Sequence, residues 1–300
     1  MCQSDCVFCL SVFYVKIIFM NPINAYGNEP GNDKTVQFLC KTSFGRFLYE
    51  LSLEMGIPAI MGAFLRCPVS SIMIDGFIKK HHIDMSAFEG RRFNTFNDFF
   101  TRQDTTKKPD TDPSHLISPS DSFLSVFKIE ENSSFSVKGF NYTLEDFFGT
   151  SEFNEKFKGG DCLIFRLCAN DYHRFCYIDN GSVEKYHFLE GKLYSVQPVC
   201  SETFRIYTKN RRNWGILHTE NFGDVASVEV GAFSVGGIVN HHEDYSFKKG
   251  EEKGYFDLHG STIVMLFEKD KIRLSDEAAE GTAGGKEFRV LYGSQIGTKA

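Results

Sequence analysis

Three hundred residues with 33 basic and 39 acidic side chains carry a net charge of −6. That length gives ample core for one large domain or two small ones, and the acidic balance excludes the basic footprint of a nucleic-acid binder. Nine cysteines, an odd number without small-domain spacing, argue for a reducing compartment over a disulfide framework.

Residues 1–37 read as an N-terminal extension, partly disordered or mis-started. Val7 to Met20 is apolar but broken by Lys16, too short to span a bilayer, and preceded by no positive residue. The stretch reads as an interfacial anchor or as a start codon called too early, and the second, with Met20 the true start, is the expectation. Cys2, Cys6 and Cys9 have a spacing seen in iron–sulfur sites, but no strand precedes them, and no cluster is expected.

Residues 38–102 are expected to be helical and membrane-facing. Phe47, Leu48, Leu51 and Leu53 fall at helical spacing, a Gly-Ile-Pro break follows at 56–58, and Ile72 to Ile78 run up to Lys79-Lys80. The same residues suit packed core helices, or an apolar surface dipping into a bilayer. Thirty-one phenylalanines fit either a strand-rich core or such a surface.

Residues 103–300 are expected to form a β-rich core, making the fold class α+β with a predominantly antiparallel sheet. Residues 103–117, with Pro109 and Asp112-Pro113, read as a surface linker. Short β-branched runs then recur at 124–129, 162–168, 205–207, 226–230, 233–239 and 262–267. Residues 275–286 read as a mobile loop, and Phe288 to Leu291 as a last strand.

The chemistry centres on a Gly-Ser bond. The chain has three such pairs, at 181–182, 260–261 and 293–294, and most Gly-Ser pairs are turns. A serine hydroxyl can attack the preceding carbonyl, and glycine there leaves the carbonyl uncrowded. The resulting ester can eliminate and hydrolyse to an N-terminal pyruvoyl group, a ketone that serves as an electron sink.

Six segments set the second pair apart. Lys249-Gly250-Glu251-Glu252-Lys253-Gly254-Tyr255-Phe256 leads into His259-Gly260-Ser261-Thr262 and an apolar run to Phe267. Upstream stand Phe96-Asn97-Asp98-Phe99-Phe100-Thr101-Arg102, Ser118-Pro119-Ser120-Asp121-Ser122 and Asp171-Tyr172-His173-Arg174. They are followed by Gly191-Lys192-Leu193-Tyr194-Ser195-Val196-Gln197-Pro198 and the valine-glycine runs between Gly223 and Ile238. In kind and order, from about residue 40 to the end, these resemble the phosphatidylserine decarboxylases. Three positions depart from that pattern: His259, Ser122 where glycine is usual, and Cys176 where much of the family has a second histidine.

The resemblance implies a proenzyme that cuts itself at Gly260-Ser261 into residues 1–260 and 261–300. Ser261 becomes the pyruvoyl cofactor, and phosphatidylserine in the membrane is decarboxylated to phosphatidylethanolamine. It implies Asp121 as the acid of a relay and His173 as base and later proton donor. His218 stays open as an alternative base, and Asp171 as the group that fixes the His173 tautomer. His241 and His242 are neighbours, which on a strand point to opposite faces, and no metal is expected. The partners implied are the lipid, the two cleaved pieces for each other, and no nucleic acid; a homodimer stays open. The expected location is peripheral, on the cytoplasmic side of the cell membrane. Two other readings remain: a pyruvoyl decarboxylase of a soluble amino acid, and a non-catalytic β-barrel scaffold.

Overall fold

A computed structural model of the chain describes residues 34–232, 237–258 and 261–300. The extension, including Cys2, Cys6, Cys9 and Met20, lies outside the described residues, as do residues 233–236 and the pair His259-Gly260. Helices come first and a mostly antiparallel β core follows, the predicted α+β order.

Helices α1 (Lys34–Lys41), α2 (Ser43–Glu54) and α3 (Ile57–Leu65) lead through a 3-10 segment, Pro68–Met73, into α4 (Ile74–His81). The Thr42 hydroxyl caps α2 by accepting the Gly45 N–H at 2.9 Å. Gly56, at φ 72°, turns the chain between α2 and α3, and Pro58 sits in the first turn of α3, where its missing N–H costs nothing. Thr95 caps the short α5 (Phe96–Phe100), which lays Phe96, Phe99 and Phe100 into the core.

The main sheet has nine strands. Its order is β12 (Tyr245–Phe247), β7 (Gly181–Val183), β9 (Arg212–Thr219), β10 (Gly223–Val230), β14 (Ser261–Phe267), β5 (Asp161–Leu167), β2 (Ser122–Lys128) and β16 (Phe288–Val290), with β8 (His187–Leu189) also paired to β9. A second sheet joins β11 (Gly237–Asn240), β13 (Glu252–Asp257) and β6 (Arg174–Cys176). A third joins β1 (His115–Ile117), β17 (Gln295–Lys299) and β15 (Ile272–Leu274). A hairpin pairs β3 (Ser134–Val137) with β4 (Phe140–Thr143) and is followed by two short helices, α6 (Leu144–Phe148) and α7 (Asn154–Phe157).

Two apolar cores cover the main sheet. Val264 and Leu266 of β14 join the core built with the helices, while Ile263, Met265 and Phe267 join the core on the opposite face. Burial on both faces explains why β5 and β14 read as continuous apolar runs and not as alternating ones.

Two local expectations are corrected. Residues 205–207, read as strand, enter a helical turn, α9 (Ile206–Lys209), which follows the short α8 (Pro198–Ser201). The expected loop at 275–286 holds a helix, α10 (Asp276–Thr282), whose N-cap Ser275 accepts the Ala278 N–H. Its cap, its two acids in the first turn and its alanines outweigh the glycines.

Candidate active site

The register of three adjacent strands gathers the motif residues. Phe123 of β2 is opposite Arg166 of β5, which is opposite Thr262 of β14; one residue on, Leu167 is opposite Ser261. The first residue of β2, the last of β5 and the first of β14 therefore share one row. Asp121, the loop from Cys168 to His173, and Ser261 leave the sheet at the same end. Two main-chain bonds lace that end together: Phe256 donates to the His173 carbonyl, and Cys176 to the Pro119 carbonyl, each at 2.9 Å.

Ser261 is fully buried, and its hydroxyl has no hydrogen-bond partner among the described residues. Such a group is costly to bury, so its place calls for an explanation. Gly260 lies outside the described residues, but Leu258, two residues before it, has φ 54° with its side chain 1 % exposed. A left-handed leucine costs on the order of 1–2 kcal/mol, and here its core packing holds the strained turn in place.

His173 is buried beside Phe100, with ring centres 3.9 Å apart. Its Nδ1 lies 2.9 Å from the Asp171 carbonyl oxygen. A carbonyl only accepts, so Nδ1 carries the proton of the neutral ring and Nε2 is the basic nitrogen. The tautomer is thus set by the backbone of Asp171. The Asp171 carboxylate, expected to do this, instead accepts the Cys168 N–H at 2.6 Å and pairs with Arg289 at 2.7 Å. Burial pushes the Asp171 carboxyl above its usual range, with Arg289 opposing.

Asp121 accepts the Tyr292 N–H at 2.7 Å and is 3.1 Å from the Lys107 ammonium. Ser122 is absent from the residues with positive φ, so serine replaces the family's glycine without strain. Burial pushes the Cys176 thiol up to about 12, which removes it as a base at neutral pH.

His218 is not brought to the site. It faces Asp224 across β9 and β10, with Nδ1 2.7 Å from Oδ1, and the next β10 residue, Val225, pairs with Phe267. It therefore stands at the far end of β14, about 20 Å from Ser261 at strand spacing. His241 bonds Glu252 at 2.8 Å, and no group of three potential metal ligands occurs among the described residues.

Sequence reasoning missed Lys107, Arg289 and Tyr292, which lie outside or at the edge of the motifs. It also missed a fully buried ion pair, Lys253 with Glu229 at 2.9 Å, closed by Asn240 and Ser227. A charge inside an otherwise apolar strand, as in Val228-Glu229-Val230, was an available signal.

A buried serine hydroxyl, a tautomer-fixed imidazole and a salt-bridged carboxylate at one end of three strands are the groups that backbone self-processing by serine requires. The sequence pattern of the family described as phosphatidylserine decarboxylase matches residues 96–298. The phosphatidylserine decarboxylase proenzyme 2 of Clostridium acetobutylicum is 38% identical over 265 residues, covering 87% of this chain and 91% of that one. A phosphatidylserine decarboxylase proenzyme of Clostridium botulinum is 38% identical over 285 residues, covering 92% and 96%. That of Desulfitobacterium hafniense is 35% identical over 275 residues, covering 89% and 92%. The chain belongs to the phosphatidylserine decarboxylase family.

Proposed function

We propose that this chain is a proenzyme that cuts itself before Ser261 and then decarboxylates phosphatidylserine to phosphatidylethanolamine at a membrane surface. The observation that carries this reading is the buried Ser261 hydroxyl, without a hydrogen bond among the described residues, at the family's cleavage motif and at the head of a central strand. The His173 Nε2 takes the hydroxyl proton, and Oγ attacks the Gly260 carbonyl. The C–N bond breaks and an ester replaces the amide. Loss of the Ser261 Cα proton then expels the Gly260 carboxylate. Water completes the change by releasing ammonia and leaving a ketone at residue 261. Asp121, held by the Tyr292 N–H and the Lys107 ammonium at the same end of the sheet, is the negative charge that stabilises the imidazolium formed in this step.

The buried site at Ser261 suits a group made in place, because the atoms are already there. The pyruvoyl group supplies an electron sink for the electrons released as carbon dioxide leaves. His173 then holds the proton that must return to the substrate's former Cα.

The helices support a lipid surface. In α2, Gly45, Tyr49 and Ser52 face inward, while Phe44 and Phe47 are 64% and 61% exposed. Val69 and Ile72 of the 3-10 segment that follows are also exposed, at 62% and 78%. Among the described residues no single helix is long and apolar enough to cross a membrane, so these exposed side chains suit an interfacial contact. Arg66, which caps α3, pairs with Asp257 at 2.5 Å and ties this surface to the strand that leads to Gly260. Phe100, from the short helix α5, packs on His173. The location we infer is peripheral, on the cytoplasmic side of the cell membrane, in keeping with the cysteine usage.

Intact mass of the purified protein tests the chemistry: two pieces are expected, the smaller beginning at 261 with a pyruvoyl end. An active protein of full length sinks the reading. Sedimentation with anionic phospholipid vesicles tests the surface. Binding should fall about tenfold or more in Phe44→Glu/Phe47→Glu, and a variant that binds as well as the parent removes the helices from that role.

A further inference from the structure

Lys107 lies in the polar stretch between the helices and the β core, where composition suggests only a linker. Its ammonium is 3.1 Å from Asp121 Oδ2 and 3.3 Å from Oδ1. The two side chains are 24% and 13% exposed. The ammonium also stands 4.9 Å from the ring centre of Tyr172 and 5.7 Å from that of Tyr292, and those rings pack edge to face. The Tyr172 hydroxyl accepts the Asp104 N–H at 3.0 Å, which anchors the segment that delivers the lysine. On the other side, the Tyr292 N–H holds Asp121 Oδ1.

Exposed ion pairs contribute little, because water screens them and both chains are mobile. This pair differs: it is largely withdrawn from water, walled by two aromatic faces, and its carboxylate is fixed by a backbone N–H. Arg102 and Arg289 feel the Asp121 charge from further away. Lys107 is the cation in direct contact with it. A relay carboxylate works only while its charge is held and aimed.

We propose that Lys107 is a positioning residue for self-cleavage, holding the Asp121 carboxylate in place until Ser261 has attacked. The inference rests on Asp121 serving in the relay. The test follows the full-length chain, made by cell-free translation, as it converts to two pieces on a denaturing gel. Lys107→Met should slow conversion about 10- to 100-fold, the worth of a hydrogen bond to a charged group. Lys107→Arg, which keeps the charge, should restore most of the rate. Lys107→Gln serves in place of Lys107→Met if the latter does not give a folded chain. A neutral variant that converts at the parent rate, or an Arg variant as slow as the neutral one, overturns the proposal. Asp121→Asn is run alongside. If it converts normally, the relay reading fails and takes this proposal with it; if it is blocked while Lys107→Met is not, only the role of Lys107 falls.

Discussion

His173 has Nδ1 fixed on the Asp171 carbonyl, and on the proposed mechanism Nε2 transfers the proton both in cleavage and in turnover. His218 stands at the opposite end of β14, so the proposed mechanism gives both jobs to His173. His173→Ala should remain uncut, with conversion slowed about 10²- to 10⁴-fold, the range for losing a general base. His218→Ala should mature normally and keep its turnover; an uncut His218→Ala chain reverses the assignment. Ser261→Ala should stay full-length and inactive, and finding it cut ends the mechanism. The motif residues were legible because their spacing carries chemistry. Lys107 and Arg289 were not, since a lysine in a polar stretch and an arginine in a short strand look like solvated charges until the chain brings them onto Asp121 and Asp171.

Among the elements, the helical cap carries a pH dependence of its own. His81, the last residue of α4, stacks on Phe77 and is held down to about 4, first by burial and then by Lys80 and His82. The folded chain keeps this ring neutral, while the unfolded chain protonates it below about pH 6.5. The contribution is full above that pH and is lost as pH falls from 6.5 toward 4. Urea midpoints at pH 7 and pH 5 should differ by on the order of 1 kcal/mol in stability, and His81→Leu should reduce that difference; an unchanged difference assigns it elsewhere. Strands β2, β5, β10, β14 and β16 of the central sheet were legible as apolar runs and the helices as periodic ones, whereas β9 was not, because Arg212, Asn213 and Gly215 break its apolar pattern. What was not legible had weak local signals: β6 and β7 are three residues each, and their pairing partners lie at 252–257, 212–219 and 245–247. A short strand exists because a distant partner supplies its hydrogen bonds, and α10 was hidden because its glycines suggested a loop.

At the scale of the whole molecule, the piece 261–300 is woven through the piece 1–260. Strand β14 lies between β10 and β5, β16 pairs with β2, and β17 pairs with β1. After cleavage the two pieces should elute together in gel filtration and separate only in denaturant. Separation under native conditions would mean that the sheet does not hold them.

The position of Ser261 at the head of a central strand also sets how the activity is supplied. An enzyme with a dissociable cofactor can be emptied, refilled and stored. On the proposed mechanism the reactive group is a strand's own first residue, so each molecule is loaded once, by destroying one of its own bonds, and cannot be recharged. A site inactivated by reduction or by a trapped amine is lost for good. The amount of working enzyme in a cell then follows the rate of translation, and recovery from poisoning waits on new chains.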